Sequence, residues 1–287
     1  MSRQVYVNGQ FVPYAEAAVS AEDRGFQFGD AVYEVIEVRD GHLVDETRHM
    51  DRLDRSLGEL RIDAPMSRGA WSRVLRETIR RNRVRDGSLY LQVSRGARPR
   101  DFFFPPAGTP PTVVCIGRHA SRAKADAAAA AGIKVKTVPD NRWERCDIKT
   151  VMLLPASLAK QAAREEGAND AWFIDEKGFV TEGASANAWL VDKDGRLVTR
   201  QLDNGILPGI TRRTLLDLVA REKIEVVERP FTVAEALAAR EVFITSATSL
   251  VMPVVAIDGK PIGNGAPGLL SQKLRSHFHD VAEIADA

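Results

Sequence analysis

Lys149 stands in "ERCDIKTVMLLPASLAKQ" (144–161), after Cys146, Asp147 and Ile148 and before Val151, Met152, Leu153 and Leu154. That setting brings its amine near apolar surface, and three readings follow. The amine is half of a buried ion pair. The stem lies on the surface with its head in water, as long charged side chains commonly do. Or the amine is held out of water, where it is readily neutral, and a neutral amine attacks an aldehyde and holds it as an imine. Glu182, in "VTEGASANAW" (180–189), follows a strand and precedes small residues. It is either a solvated acid on a turn or a carboxylate facing a ligand, where it pairs with a protonated ring nitrogen.

Two further stretches suit an anion. In "NGILPGITRRTLL" (204–216) a helix begins directly after Gly209. Helix starts offer free N–H groups and the positive end of the dipole. Thr211 there is an N-cap or a donor to a phosphate. "FITSATS" (243–249) places hydroxyls and N–H groups after a strand, as an ordinary Ser/Thr turn or as a second phosphate loop. His277 and His279 are two apart on a helix and share no face, so no metal site is expected. Cys115 and Cys146 fit neither a zinc pattern nor a disulfide framework. Cys146 reads as a buried, inert thiol.

The elements that must position these residues are legible from periodicity. "VYVNGQFV" and "AVYEVIEVRDGHLV" alternate about Asn8-Gly9 and Asp40-Gly41, which reads as two hairpins. Residues 46–60 switch to helical period, with Met50, Leu53, Leu57 and Leu60 as one stripe. Residues 69–84 form a second amphipathic helix with Trp71, Val74, Leu75 and Ile79 inward. Strands follow at 88–96 and 111–117. The Ala-rich stretch 118–132 breaks the pattern and reads as a linker. Beyond it come a strand at 133–138, a helix at 155–166 closed by Gly167, two strand–turn–strand segments, and a helix at 211–223. A Thr232–Glu235 capping box, another hairpin and a C-terminal helix over 269–284 complete the chain.

Composition excludes several classes. The chain has 287 residues, 44% hydrophobic and 28% charged, as in ordinary globular proteins. Forty basic and 39 acidic residues leave a net charge of +1, which argues for no nucleic-acid or membrane partner. No apolar run is long enough to span a bilayer and no signal segment opens the chain, so a cytoplasmic protein is expected. G-x-G-x-x-G and G-x-x-x-x-G-K-[ST] are both missing, which disfavours dinucleotide and P-loop folds.

"RCDIKT", "VTEGASAN", "LPGITR" and "FITSATS", in that order, resemble the fold-type IV pyridoxal-phosphate enzymes. "DRGFQFGDAVYEVIEV" and "HMDRLDRS" complete the pattern, and the resemblance runs over almost the whole chain. Within that family, "SRGARPR" and "RWERCDIKTVMLL" look most like the D-amino-acid transaminase branch. The resemblance implies an α/β fold of α+β type. A small N-terminal α+β domain (1–117) and a linker (118–123) precede a larger α/β domain (124–287), with pyridoxal 5'-phosphate between the two domains.

The resemblance also implies roles. Lys149 matches the Schiff-base lysine, which also moves the substrate proton. Glu182 matches the acid paired with the pyridine nitrogen. Arg52 matches an arginine near the cofactor phosphate, opposite its helix's apolar stripe, with His49 nearby to orient it. Ile210 and Thr211 match the phosphate-cradling helix start, Ser246, Ala247 and Thr248 the second phosphate loop, and Leu207 a residue packed on the ring. Ala247 replaces a usual hydroxyl residue. Tyr33 matches a tyrosine of the substrate pocket. The substrate carboxylate would be held by Tyr33 with an arginine and a histidine of a partner subunit, which implies a homodimer. The arginine falls on Arg100 and the histidine position holds Phe102; Arg98 reads as a solvated loop charge. The implied reaction is amino transfer between a D-amino acid and 2-oxoglutarate or pyruvate. The alternatives are an (R)-selective amine transaminase, a branched-chain aminotransferase, or a non-catalytic binding protein on the same scaffold.

Overall fold

A computed structural model describes residues 3–285. The chain divides into two units. The first holds the described residues up to Ser121, together with Ile148–Met152 and the chain from Glu283; the second holds Arg122–Asp147 and Leu153–Ala282.

The first unit is a seven-stranded antiparallel sheet. Its order is Ile284–Ala285, His42–Val44, Ala31–Arg39, Gly87–Ser94, Thr112–His119, Gln4–Val7 and Gln10–Pro13. Both expected hairpins form. Asn8 and Gly9 have φ of +45° and +96°, and Asp40 and Gly41 have +52° and +90°. Two consecutive positive φ values match the twist of the flanking strands, which is why Asn-Gly and Asp-Gly serve there. In Ala31–Arg39 the alternation is strict. Val32, Glu34, Ile36 and Val38 are fully buried, while Tyr33, Val35 and Glu37 are only partly covered. The buried face packs against helices Glu46–Glu59 and Arg68–Asn82 through Met50, Leu53, Leu57, Trp71, Leu75 and Ile79. Each such apolar side chain contributes about 1.5–3 kcal/mol on burial. A glutamate on that face therefore needs a partner.

The second unit is a nine-stranded mixed sheet. Parallel pairs join Val226–Glu228 to Leu197–Thr199, Leu250–Ile257 to Ile133–Pro139, and Ile133–Pro139 to Asp170–Ile174. Asn187–Val191 is buried along its whole length. Ala188 and Leu190 join one apolar cluster, and Trp189 and Val191 join another. The sheet is thus covered on both faces, as parallel sheets usually are.

Two expectations need correction. Residues 122–131, read as part of a linker, form helix Arg122–Ala131, because alanine is the strongest helix former and needs no apolar stripe to propagate one. The C-terminal helix is also shorter than its periodicity suggested. Leu269–His277 is helical, and Ile284 and Ala285 leave it to pair antiparallel with Val44 and Leu43.

Candidate active site

In the first unit, residues 148–152 run against the start of the central strand. The Tyr33 amide donates to the Lys149 carbonyl (3.0 Å), the Val151 amide to Ala31 (3.1 Å), and Thr150 pairs with Val32. Ile148 and Thr150 are buried, which turns the Lys149 side chain between them to the other face of the segment. There Nζ lies 4.2 Å from the centre of the Tyr33 ring. Tyr33 stacks on Tyr90 at 5.6 Å, and the Tyr90 hydroxyl donates to Gln92 Oε1 (2.6 Å). Burial pushes the Tyr90 hydroxyl up to about 12, so it stays a donor. Among the described residues no carboxylate pairs with Lys149. A buried ion pair therefore does not account for it, and its amine faces a tyrosine.

Arg52 is 8% exposed, although it stands off the apolar stripe of its helix. Glu34 explains this. Arg52 Nε donates to Glu34 Oε1 and NH2 to Oε2, each at 2.8 Å. His49 Nδ1 lies 2.7 Å from Oε2, so that nitrogen carries the proton and donates. Complete burial pushes the Glu34 carboxyl up, but the Arg52 charge and the hydrogen bonds from Arg52 and His49 overcome this and hold it at about 2. Burial holds His49 below its ordinary value despite Glu34. Glu34 was legible as a charge on the buried side of an alternating strand, yet the motif reading passed over it.

Arg100 and Phe102 lie on the long excursion between strands Gly87–Ser94 and Thr112–His119. The Arg100 guanidinium lies 4.9 Å from the Phe28 ring centre and 5.4 Å from that of Phe102. Phe102 is 77% exposed. Arg98 has its own local partner, the Thr109 hydroxyl at 3.4 Å.

In the second unit, Glu182 lies in the buried strand Val180–Gly183. Arg142 NH1 donates to its Oε1; Asn187 Nδ2 (3.3 Å) and the Leu207 amide (3.2 Å) donate to Oε2. Arg142 is in turn paired two-pronged with Asp140, at 2.8 and 2.7 Å, and donates to the Gly205 carbonyl at 3.1 Å. Burial works against the Arg142 charge, but Asp140 and Glu182 outweigh it and raise its pKa. Burial likewise pushes the Asp140 carboxyl up, and its bonds to Arg142 and Thr181 hold it below the usual range. Sequence reasoning missed Arg142, an arginine in an irregular loop with no periodicity to mark it. Asn187 lay inside the "GASANAW" run and was equally unassigned. Cys146 is half-buried rather than buried, and its Sγ donates to the Trp143 carbonyl at 3.1 Å. Desolvation pushes its thiol up to about 12, which keeps it protonated and unreactive.

Asn187 links Glu182 to the helix start. Its Nδ2 donates to the Leu207 carbonyl (2.9 Å), and a Cβ on Gly209 would come 2.1 Å from its Oδ1. Gly209 is the N-cap of helix Ile210–Arg221, and no side chain caps that end. Thr211 is therefore not the cap. It lies in the first turn, buried with Ile210, where the unpaired N–H groups of a helix gather. Asn187 also pairs in register with Thr245, one residue before Ser246. The Ser246 hydroxyl accepts from the Ser249 amide (3.2 Å), and Ala247 and Thr248 form the turn, with Thr248 exposed. Glu182, Leu207, the helix start and the Ser/Thr turn are thus joined through Asn187. Among the described residues no group of three His, Cys, Asp or Glu side chains could hold a metal ion.

A lysine facing a tyrosine, an arginine-bound glutamate and an uncapped helix start recur here in the order the motifs announced. The family model for amino-transferase class IV matches residues 31–257. The chain belongs to this family.

Among class IV aminotransferases, it is 38% identical over 281 residues to the D-alanine aminotransferase of Staphylococcus haemolyticus, covering 98% of each chain. It is 41% identical over 273 residues to the D-alanine aminotransferase of Bacillus licheniformis, covering 95% of each. A solved T.th. branched-chain amino acid aminotransferase with pyridoxamine 5'-phosphate superposes with a TM-score of 0.89 at 26% identity, over 98% of this chain and 94% of that one. These likenesses make the chain an aminotransferase of fold-type IV, with helices, one antiparallel sheet and one mixed sheet, in the α+β type of α/β fold. No helix is long and apolar enough to cross a membrane.

Proposed function

We propose that the chain is a pyridoxal-phosphate-dependent transaminase that moves an amino group between a D-amino acid of the D-alanine or D-glutamate type and 2-oxoglutarate or pyruvate. It would act as a cytoplasmic homodimer, each small domain lending its carboxylate-binding loop to the other subunit's site. The small domain is taken as 1–117, a linker as 118–123 and the large domain as 124–287. The observation that carries the functional reading is the Lys149 amine, 4.2 Å from the Tyr33 ring and without a carboxylate partner among the described residues. Near-full-length similarity to D-alanine aminotransferases supports the substrate class.

The residues fit pyridoxal phosphate by their chemistry. The uncapped N–H groups at Ile210 and Thr211, with the turn Ser246–Thr248, suit a phosphate. The Glu182 carboxylate, pinned by Arg142, Asn187 and the Leu207 amide, suits a protonated ring nitrogen, with Leu207 beside it. Arg52 supplies positive charge near the phosphate. When bound, the cofactor supplies an electron sink for the bond at the substrate Cα. Lys149 would take the proton from the Cα of the donor amino acid and, in the return half of the reaction, supply a proton to the Cα of the amino acid formed from the acceptor. Tyr33 and Arg100 hold and orient the substrate carboxylate, Arg100 in a two-pronged manner.

Phe102, where a histidine donor is expected, favours a second reading: an (R)-selective amine transaminase, whose substrates have no carboxylate to hold. Branched-chain L-amino acids are the other substrates to assay. The test is the absorbance of the purified protein as D-alanine, L-leucine or (R)-1-phenylethylamine is added. D-Alanine alone should discharge the visible band, and Lys149→Ala should lack that band. Discharge only by L-leucine or by the amine replaces the substrate assignment. No band at all would mean a non-catalytic binding protein.

A further inference from the structure

Two buried arginines share one carboxylate in the first unit. Arg24 Nε donates to Asp30 Oδ2 at 2.8 Å. Arg95 Nε donates to the same oxygen at 2.7 Å, and its NH2 to Oδ1 at 2.9 Å. Arg24 and Arg95 are 5% and 7% exposed, so two cations and one anion sit largely out of water. Such a cluster is costly unless its remaining donors are satisfied. They end on backbone carbonyls of two other segments. Arg95 reaches Leu60 (2.7 Å) and Arg61 (2.9 Å), at the end of helix Glu46–Glu59. Arg24 NH1 reaches Asp101 (2.6 Å) and Phe103 (3.2 Å). Those two carbonyls flank Phe102, and the first belongs to the residue after Arg100.

The same excursion is closed at its neck. The Arg24 amide donates to the Gly96 carbonyl (2.9 Å) and the Arg98 amide to Glu22 (3.3 Å). Gly96 has φ of +97°, and a Cβ there would come 2.2 Å from the Pro110 carbonyl, so the two ends meet without room for a side chain. Arg95 also lies 3.7 Å over the Phe104 ring. Arg24 and Arg100 both lie over the Phe28 ring, at 4.5 and 4.9 Å. Arg100 thus rests on ring faces, on a backbone whose next residues are clamped by Arg24.

We propose that Arg24, held by Asp30, is a positioning residue for the substrate carboxylate: it clamps the 96–110 arm at Asp101 and Phe103 so that Arg100 presents its N–H edge in one orientation. This rests on the reading that Arg100 grips that carboxylate. Two-pronged recognition is sensitive to such placement, since small misalignments forfeit both contacts together. Arg24 touches neither substrate nor cofactor in this scheme. Its effect passes through the arm, and Asp30 keeps its guanidinium from turning to solvent.

The experiment uses the holoenzyme with Arg24→Gln, Arg100→Leu and the double variant, reading steady-state kinetics with D-alanine and backbone hydrogen exchange over 101–104. Arg24→Gln should raise KM about tenfold with kcat changed by no more than about twofold, and exchange in the arm should quicken. In the Arg100→Leu background the same change should add little to KM. A faster-exchanging arm with unchanged KM overturns the proposal, as does an equal KM rise with and without Arg100. If Arg100→Leu alone leaves KM unchanged while the arm still loosens, the reading of Arg100 has failed instead. Should Arg24→Gln not fold, Arg24→Lys keeps a buried cation for Asp30 while giving up the bonds to the Asp101 and Phe103 carbonyls. It should give the same pattern, and an unchanged KM there counts against the proposal.

Discussion

Glu34 and Arg52 form a two-pronged pair inside the first unit, with both N–O distances 2.8 Å and His49 on the same carboxylate. One partner comes from the central strand and the other from the helix packed on it, so the pair sets the plane of the guanidinium. Glu34→Gln leaves that cation buried without this anion. Loss of one partner from a buried pair costs about 3–5 kcal/mol. A lowered denaturant midpoint together with weaker pyridoxal-phosphate binding, read by fluorescence titration, is the expected result. Unchanged cofactor affinity in a folded variant would remove Arg52 from the phosphate.

The same cluster sets an acid dependence of stability. His49 is held below its ordinary value of 6.5 by burial, so the unfolded chain binds the proton more readily. Stability should therefore begin to fall as pH drops below that value. Glu34 is depressed from 4.5 to about 2, so the stability it lends is complete above 4.5 and is lost as pH falls towards 2. Urea midpoints against pH should show both stages, and His49→Gln should abolish only the upper one. A flat midpoint between about pH 7 and 5 in the parent protein would contradict the His49 assignment.

Glu182 accepts from Arg142, Asn187 and Leu207 and presents a fixed carboxylate. Glu182→Gln keeps the shape and removes the charge. The cofactor should stay bound while kcat falls about 100-fold or more, the scale of losing one pre-organised electrostatic partner. Stopped-flow and steady-state rates decide this, and near-normal turnover would end the proposed role.

Gly209 has a φ that any residue adopts, so only space forbids a side chain there. Gly209→Ala would drive a methyl into Asn187 Oδ1 and move the amide that joins Glu182 to Leu207. Overpacking of this kind costs about 1–3 kcal/mol. Thermal melts should show that loss, and cofactor affinity should fall with it. A variant with parental affinity would show that Asn187 and the helix start are not coupled.

Phe102 stands 77% exposed against Phe28 and Arg100. A histidine keeps a flat ring for that edge-to-face contact and adds a donor. Phe102→His should lower the KM for D-alanine about tenfold, consistent with about 1.5 kcal/mol from one added hydrogen bond to a charged group. An unchanged KM would place the substrate carboxylate elsewhere, with Arg98 the next residue to test.

The motifs around Lys149, Glu182, Gly209 and Ser246 were legible because each is a short stretch whose backbone must do something local: end a strand, start a helix or make a turn. The hairpins at Asn8-Gly9 and Asp40-Gly41 were legible for the same reason. Helix Arg122–Ala131 was misread as a linker because an alanine run carries propensity but no pattern. The last turns of the C-terminal helix were overextended because periodicity does not show where another strand will capture the chain.

By itself the sequence determined the family and most of the order of elements, and it named the candidate site residues, since those follow from residue type and spacing of near neighbours. The tertiary structure decided which charges meet. Glu34 finds Arg52 and His49, Glu182 finds Arg142, and Asp30 gathers Arg24 and Arg95, across separations of 6 to 65 residues. Side-chain pairing at that range depends on sheet register and helix packing, which place carboxylate and guanidinium within 3 Å only once the whole unit has condensed.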